Sequence, residues 1–188
     1  MGAASDVDPR AFRQALGQFA TGVAVITAQG SDGQAIGMTM SSFNSVSVDP
    51  PLILFSIDRK AFSLKAMTEA KGYAVNILGR DQEHLSNKFA RALDDKWAAV
   101  EHTLGHMEAP LISGALAHFE CAPYAHYDGG DHVIFVGRVV KFSAYPANEP
   151  LIFFRGTYRS LETGEPVPER PLSMPTRPDT HVQNRGTP

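Results

Sequence analysis

The chain has 188 residues, of which 43% are hydrophobic and 20% charged, and a net charge of −3. That length and balance suit one soluble globular domain that buries a core without covalent staples, and the lack of a basic excess excludes nucleic acid as the main partner. A single cysteine cannot form an internal disulfide, no apolar run approaches the roughly 20 residues of a spanning helix, and the acidic start leads into no apolar stretch, so a cytoplasmic protein without membrane contact is expected.

Asp8 and Pro9 stand at N-cap and first-turn positions ahead of Phe12, Ala15, Leu16 and Phe19, whose spacing predicts an amphipathic helix. A β-branched strand over residues 23–28, a turn at Gly30, Ser31, Asp32 and Gly33, and a strand over 35–40 predict a hairpin. Residues 52–57 read as a strand buried on both faces, 62–70 as a helix through Phe62, Ala66, Met67 and Ala70, and 73–78 as an apolar strand interrupted by Asn76. Residues 81–92 predict a further helix carrying Leu85 and Phe89 on one side, and 94–110 have too little periodicity to predict an element. Strands follow at 115–125, 133–143 and 151–158, with Gly129 and Gly130 turning between the first two.

Many short strands and few helices predict a mainly β fold with flanking helices, a closed or partly closed antiparallel barrel rather than a parallel sheet. From residue 162 Pro, Glu, Arg, Thr and Gly dominate, so one domain is expected over 1–161, followed by a tail, 162–188, that is mobile or laid on a partner subunit.

Two stretches carry chemistry. Thr39, Ser41, Ser42, Ser45 and Ser47 crowd small hydroxyls between two apolar strands, where backbone amides and hydroxyls can bind phosphate oxygens and the polar edge of a ring. Downstream, Asp128-Gly129-Gly130-Asp131-His132 sets a titratable ring beside a carboxylate, after glycines that let a ligand approach the backbone. Together they point to a flavin site with a nicotinamide partner. The passage from Ser56 through Asp58 to Ser63 joins a strand end to a helix start and favours an anion, and Lys88 beside Phe89 is placed to reach a phosphate.

Other chemistries find less support. His102 and His106 have the i, i+4 spacing of helical zinc ligands, but the His-Glu-x-x-His pattern is missing and Gly105 opposes a helix, so no metal is expected. Cys121 falls in an apolar strand, where a thiol acts as an inert small hydrophobe. Neither a Gly-x-Ser-x-Gly elbow nor a Gly-x-Gly-x-x-Gly turn is present, which argues against a hydrolase and a Rossmann unit.

Several stretches carry a family resemblance: Leu16-Gly17-Gln18-Phe19-Ala20-Thr21-Gly22-Val23, Gly37-Met38-Thr39-Met40-Ser41-Ser42-Phe43, Asp49-Pro50-Pro51-Leu52, Ala74-Val75-Asn76-Ile77-Leu78, Gly129-Gly130-Asp131-His132 and Arg155-Gly156-x-Tyr158. In these the chain resembles the short-chain flavin reductases with an FMN-binding split β-barrel, the reductase components of two-component flavin-dependent monooxygenases. The resemblance implies a homodimer with flavin in an interface groove, contacted by Ala35, Ile36, Gly37, Met38, Thr39, Ser41, Ser42, Ser56, Ile57, Asp58, Ser63, Lys88 and Phe89. It places His132, Phe154, Arg155 and Gly156 on the nicotinamide side. Phe62 departs from the polar or basic group some relatives carry there, which leaves FMN or FAD open as cofactor.

The implied activity is hydride transfer from NADH or NADPH to flavin, with reduced flavin passed to a separate monooxygenase. The cofactors carry that chemistry, so no residue is expected to act as a catalytic acid or base. NADH and NADPH are not distinguished, because no ribose-reading residue can be placed without a Rossmann motif. Two alternatives are a flavin carrier or sensor without nicotinamide turnover, and an oxidoreductase that keeps its flavin and reduces an organic substrate directly.

Overall fold

The structure, a computed structural model, describes residues 7–91, 95–145 and 149–161. It opens with α1 (Pro9–Leu16), where the Asp8 carboxylate accepts the amides of Arg10 at 3.1 Å and Ala11 at 3.2 Å. Proline at the first helical position has no amide to leave unpaired. No residue of α1 is buried, so Phe12, Leu16 and the following Phe19 face outward.

The strands in chain order are β1 (Thr21–Gly22), β2 (Ala24–Gln29), β3 (Ala35–Met40), β4 (Asn44–Ser47), β5 (Leu52–Asp58), β6 (Tyr73–Ile77), β7 (His102–Leu104), β8 (Pro110–Ile112), β9 (Ala117–Gly129), β10 (His132–Ala144), β11 (Ile152–Phe154) and β12 (Thr157–Arg159). Helices α2 (Leu64–Glu69) and α3 (Glu83–Phe89) interrupt them. Seven strands form one antiparallel sheet in the order β3-β2-β6-β9-β10-β5-β4. Its two edge strands, β3 and β4, are joined by residues 41–43 alone, a span that keeps their ends within roughly 14 Å. The sheet therefore curls on itself, while no ladder joins β3 to β4 among the described residues. This is a split β-barrel.

Strand β2 is buried on both faces, and its period of two sorts its residues between two cores. Ala24, Ile26 and Ala28 enter the barrel interior, where the Phe55 and Phe135 rings stack at 5.2 Å and both meet Tyr73 edge-on. Val23, just before β2, and Val25 face the other way, onto Leu78, Leu85, Phe89, Ile112 and Leu151, and so seat α3.

Asn76 explains its own place in an apolar strand. It is fully buried, donates to the Val25 carbonyl at 3.0 Å and Thr27 Oγ1 at 3.2 Å, and accepts the Ile112 amide at 2.7 Å. Thr27 Oγ1 in turn donates to the Pro110 carbonyl at 2.5 Å. These bonds pin the β7–β8 ribbon to the barrel wall, in a region where sequence periodicity predicts nothing.

Several expected elements change. Residues 151–158 form a hairpin, β11–β12, rather than one strand, because Arg155 (φ 50°) and Gly156 (φ 78°) both take the left-handed conformation that reverses a tight turn. The serine-rich stretch contains an extra edge strand, β4, paired with β5. The helix expected at 62–70 starts at Leu64, leaving Phe62 fully exposed before it. The helix expected at 81–92 is a 3-10 turn over Arg80–Gln82 followed by α3, which ends at Phe89; Ala92 lies outside the described residues. His102 and His106 fall on β7 and on a separate short turn, not on one helix. The tail expected at 162–188 lies outside the described residues.

Replacing Asn76 by alanine strands the buried Ile112 amide and removes the side-chain donor to the Val25 carbonyl and Thr27 Oγ1. Chemical denaturation is expected to show a loss of roughly 2–4 kcal/mol, on the cost of unpaired buried groups.

Candidate functional site

A cleft of about 1070 Å³ runs along the free edge of β3, the end of β5, the loop into α2 and the C-terminal end of α3. Ala35, Ile36, Gly37, Met38, Thr39, Ser41, Ser42, Ser56, Ile57, Asp58, Ser63, Phe89 and His132 all line it. The volume is at the scale of pockets that take cofactor-sized ligands.

The edge position of β3 gives the cleft its donors. Trp97 Nε1 donates to the Ala35 carbonyl at 2.7 Å, and Lys96 Nζ approaches the Gly37 carbonyl at 3.4 Å, so these carbonyls point away from β2. In an antiparallel strand the amide and carbonyl of one residue face the same side, and the amides of Gly37 and Thr39 therefore lie on the free edge. Gly37 is required for a second reason. A Cβ there would stand 2.5 Å from the Phe89 ring and 3.2 Å from Trp97, which pack against each other with centroids 4.9 Å apart.

The hydroxyl row divides by task. Thr39 Oγ1 donates to the Ser86 carbonyl at 2.7 Å and holds β3 to α3. Ser42 Oγ accepts the Ser56 amide at 3.0 Å and donates to the Ser56 carbonyl at 3.3 Å, clasping the β3–β4 connection to β5. Among the described residues, the Ser41 and Ser63 side chains make no hydrogen bond and stay available to a ligand. Lys88 is not brought to the cleft, since its ammonium donates to the Ala98 carbonyl.

The cations that do line the cleft are Arg91 and Lys96. Burial lowers the Lys96 pKa from its ordinary value. Sequence reasoning missed Lys96 and Trp97, and weighed His102 only as a zinc ligand, because they fall in the stretch of weak periodicity. The chain's single tryptophan was the available signal. Phe62, fully exposed at the rim, adds an unburied aromatic face.

His132 begins β10 opposite Asp58 of β5, and that register carries it to the cleft. Its Nδ1 lies 2.7 Å from Asp131 Oδ1, and this hydrogen bond is the main cause holding the Asp131 carboxyl below the usual range. Arg59 fixes the turn from outside by donating to the Gly130 carbonyl at 2.8 Å and to Asp128 at 3.0 Å. Phe154, Arg155 and Gly156 lie elsewhere in the chain. Arg155 and Gly156 line a second cleft against α1, with the Arg155 guanidinium 4.8 Å from the Phe154 ring centre.

The main cleft fits a flavin by its donor set: free edge-strand amides, two uncommitted hydroxyls, two cations, and apolar surface from Ile36, Met38 and Phe89. Among the described residues nothing in it pairs a nucleophile with a base. Cys121 is fully buried in the barrel, and burial pushes its thiol pKa up to about 12. Among the described residues no three metal-ligating side chains cluster.

A split antiparallel barrel with a polar cleft along its free edge strand defines a protein of the flavin-handling oxidoreductase class. Residues 16–162 match the flavin reductase like domain, and the chain belongs to that family. It is 37% identical over 166 residues to the reductase subunit HsaB of a flavin-dependent monooxygenase from Rhodococcus jostii (strain RHA1), covering 88% of this chain and 85% of that one. A probable flavin reductase of Rhizobium meliloti (strain 1021) is 44% identical over 151 residues and 80% of this chain, which spans 48% of that relative's length. The Streptomyces globisporus C-1027 NADH:FAD oxidoreductase SgcE6, solved in complex with NAD and FAD fragments, has a TM-score of 0.80 and 39% identity over 87% of this chain and 100% of its own.

Loss of the Ser42 clasp in Ser42→Ala is expected to lower unfolding free energy by about 1–2 kcal/mol, while Ser41→Ala stays within about 0.5 kcal/mol, both read by denaturant titration. Cys121 is expected to react with a thiol reagent only when the protein unfolds, so that labelling follows the denaturation curve; rapid labelling of the native protein contradicts its burial.

Proposed function

We propose that the chain is an NAD(P)H:flavin oxidoreductase that accepts NADH or NADPH, reduces FMN or FAD held in the β3 cleft, and supplies reduced flavin to a separate flavin-dependent monooxygenase. The observation that carries this reading is the meeting, in one cleft, of free edge-strand amides, uncommitted hydroxyls and His132. Kinship with HsaB, named as a monooxygenase reductase subunit, supports the partner.

The bound flavin supplies the hydride-accepting chemistry and the dihydronicotinamide the hydride, so the protein needs to orient both and stabilise charge. The Gly37 and Thr39 amides with Ser41 hold the polar edge of the ring and favour its negative charge, as preorganised donors do. Ser56, Ile57, Asp58, Ser63, Arg91 and Lys96 surround the phosphate-bearing chain. His132, its ring fixed by Asp131, positions the nicotinamide and moves no proton.

A homodimer is part of this proposal. The outward stripe of Phe12, Leu16 and Phe19 is apolar surface that a second copy would cover, since such patches mark association sites. Among the described residues no helix is long and apolar enough to cross a membrane, and the single buried thiol suits the cytoplasm proposed as its location.

Anaerobic addition of NADH or NADPH to the protein with FMN or FAD is expected to bleach the flavin absorption band; no bleaching with any of the four pairs defeats the reading. His132→Ala is expected to raise the nicotinamide KM about ten-fold with flavin affinity retained. An unchanged KM removes the positioning role.

A further inference from the structure

The main cleft offers more than one ring and one phosphate require. Its volume of about 1070 Å³ stands at the top of the roughly 300–1,000 Å³ usual for small-molecule pockets. Arg91 and Lys96 line it, and among the described residues neither has a carboxylate within ion-pair distance. The carboxylates on the same cleft, Asp32, Asp58 and Asp95, each accept the amide of a nearby turn, from Gln34 at 3.0 Å, Lys60 at 2.7 Å and Ala98 at 2.9 Å. Two cations, with the carboxylates drawn into their own turns, suit a pyrophosphate better than a single phosphate.

Phe62 stands on the rim of this cleft, next in the chain to Ser63, whose hydroxyl is uncommitted. The local fold aims it outward. The chain leaves β5 at Asp58 and turns, with the Ala61 amide donating to the Asp58 carbonyl at 2.9 Å. Ala61 and Leu64 then pack onto the barrel core, and the ring between them is left fully exposed. Among the described residues it pairs with no other aromatic ring and with no cation.

The surroundings of Phe62 separate it from the stripe on α1. Asp58, Arg59 and Lys60, just before it, are exposed and charged, so the ring belongs to no apolar patch of the kind that another protein chain covers. It is one bare aromatic face at the edge of a polar cleft. Such a face stacks any nucleobase, because every base presents a π surface.

We infer that Phe62 is the stacking face for the adenine of FAD, with Arg91 and Lys96 on the pyrophosphate, and that the chain thereby selects FAD over FMN. Ser63 belongs to the part of the cleft assigned to the phosphate-bearing chain of the flavin, so a nucleotide that continues past that phosphate meets the neighbouring ring. The inference rests on the flavin reading of this cleft and adds which flavin it takes. The reduced nicotinamide dinucleotide also carries an adenosine diphosphate, and the test separates the two sources.

Calorimetric dissociation constants for FAD and FMN, measured on the purified protein without nicotinamide, test the seat. The wild type is expected to bind FAD about ten-fold more tightly than FMN. Phe62→Ala changes a fully exposed position, and is expected to weaken FAD binding about ten-fold and FMN binding by less than about two-fold, which abolishes the preference. Phe62→Tyr keeps the aromatic face and is expected to keep the preference. A wild type that binds FMN as tightly as FAD overturns the inference, as does a preference unchanged in Phe62→Ala or lost equally in Phe62→Tyr. An unchanged preference with a raised NADH KM gives the ring to the adenine of the dinucleotide, and one with a dimer turned to monomer in sedimentation gives it to a second copy; either result overturns the FAD seat. These binding constants need no turnover. A protein that shows them but oxidises neither NADH nor NADPH loses the proposed activity and keeps the adenine seat, whereas one that binds neither flavin loses both.

Discussion

The contact of the Phe89 ring with the bare backbone of Gly37 is the constraint on which the main cleft depends. With no Cβ between them, α3 packs directly against the edge strand, and Trp97 lies over both. Thr39 then reaches the Ser86 carbonyl and Trp97 Nε1 the Ala35 carbonyl, so one close approach aligns a helix, a strand edge and a tryptophan. Overpacking there would tilt the wall that carries the cleft's backbone donors.

An unpaired strand edge is ordinarily a liability, because its amides and carbonyls invite another strand. Here the outward carbonyls of Ala35 and Gly37 are engaged by Trp97 and Lys96, while the amides of Gly37 and Thr39 lie along the same edge. The edge is thereby changed from a general pairing surface into one that accepts electron-rich ligand atoms. Lys96 and Arg91 both line the cleft, and two cations there suit the phosphate-bearing ring system proposed for it.

Among the described residues no nucleophile is paired with a base in the main cleft, which suits the division of labour in flavin chemistry. Hydride transfer between two bound rings asks for alignment and exclusion more than for proton transfer. Asp131 and Arg59 accordingly spend their polar atoms on fixing the His132 turn. Helix α1 belongs to the same logic: none of its residues is buried in the chain itself, and what it offers outward is an apolar stripe and two arginines.

Much of this was legible in sequence. Alternating or β-branched apolar runs at 23–28, 35–40, 52–57 and 73–78 determined strands, because side chains on a pleat repeat every two residues. The hydroxyl row and the Gly-Gly-Asp-His turn marked where ligand chemistry would sit, since small polar groups and glycines open the backbone to a ligand. Sequence could not divide that row into Thr39 and Ser42, which hold walls, and Ser41 and Ser63, which remain free. Nor could it bring Lys96 and Trp97 to β3, turn Lys88 away, or separate Arg155 from His132 into different clefts. Those outcomes were decided by tertiary structure, because a side chain's partner and a strand's place at a sheet edge depend on pairings between residues far apart in the chain, which local spacing does not encode.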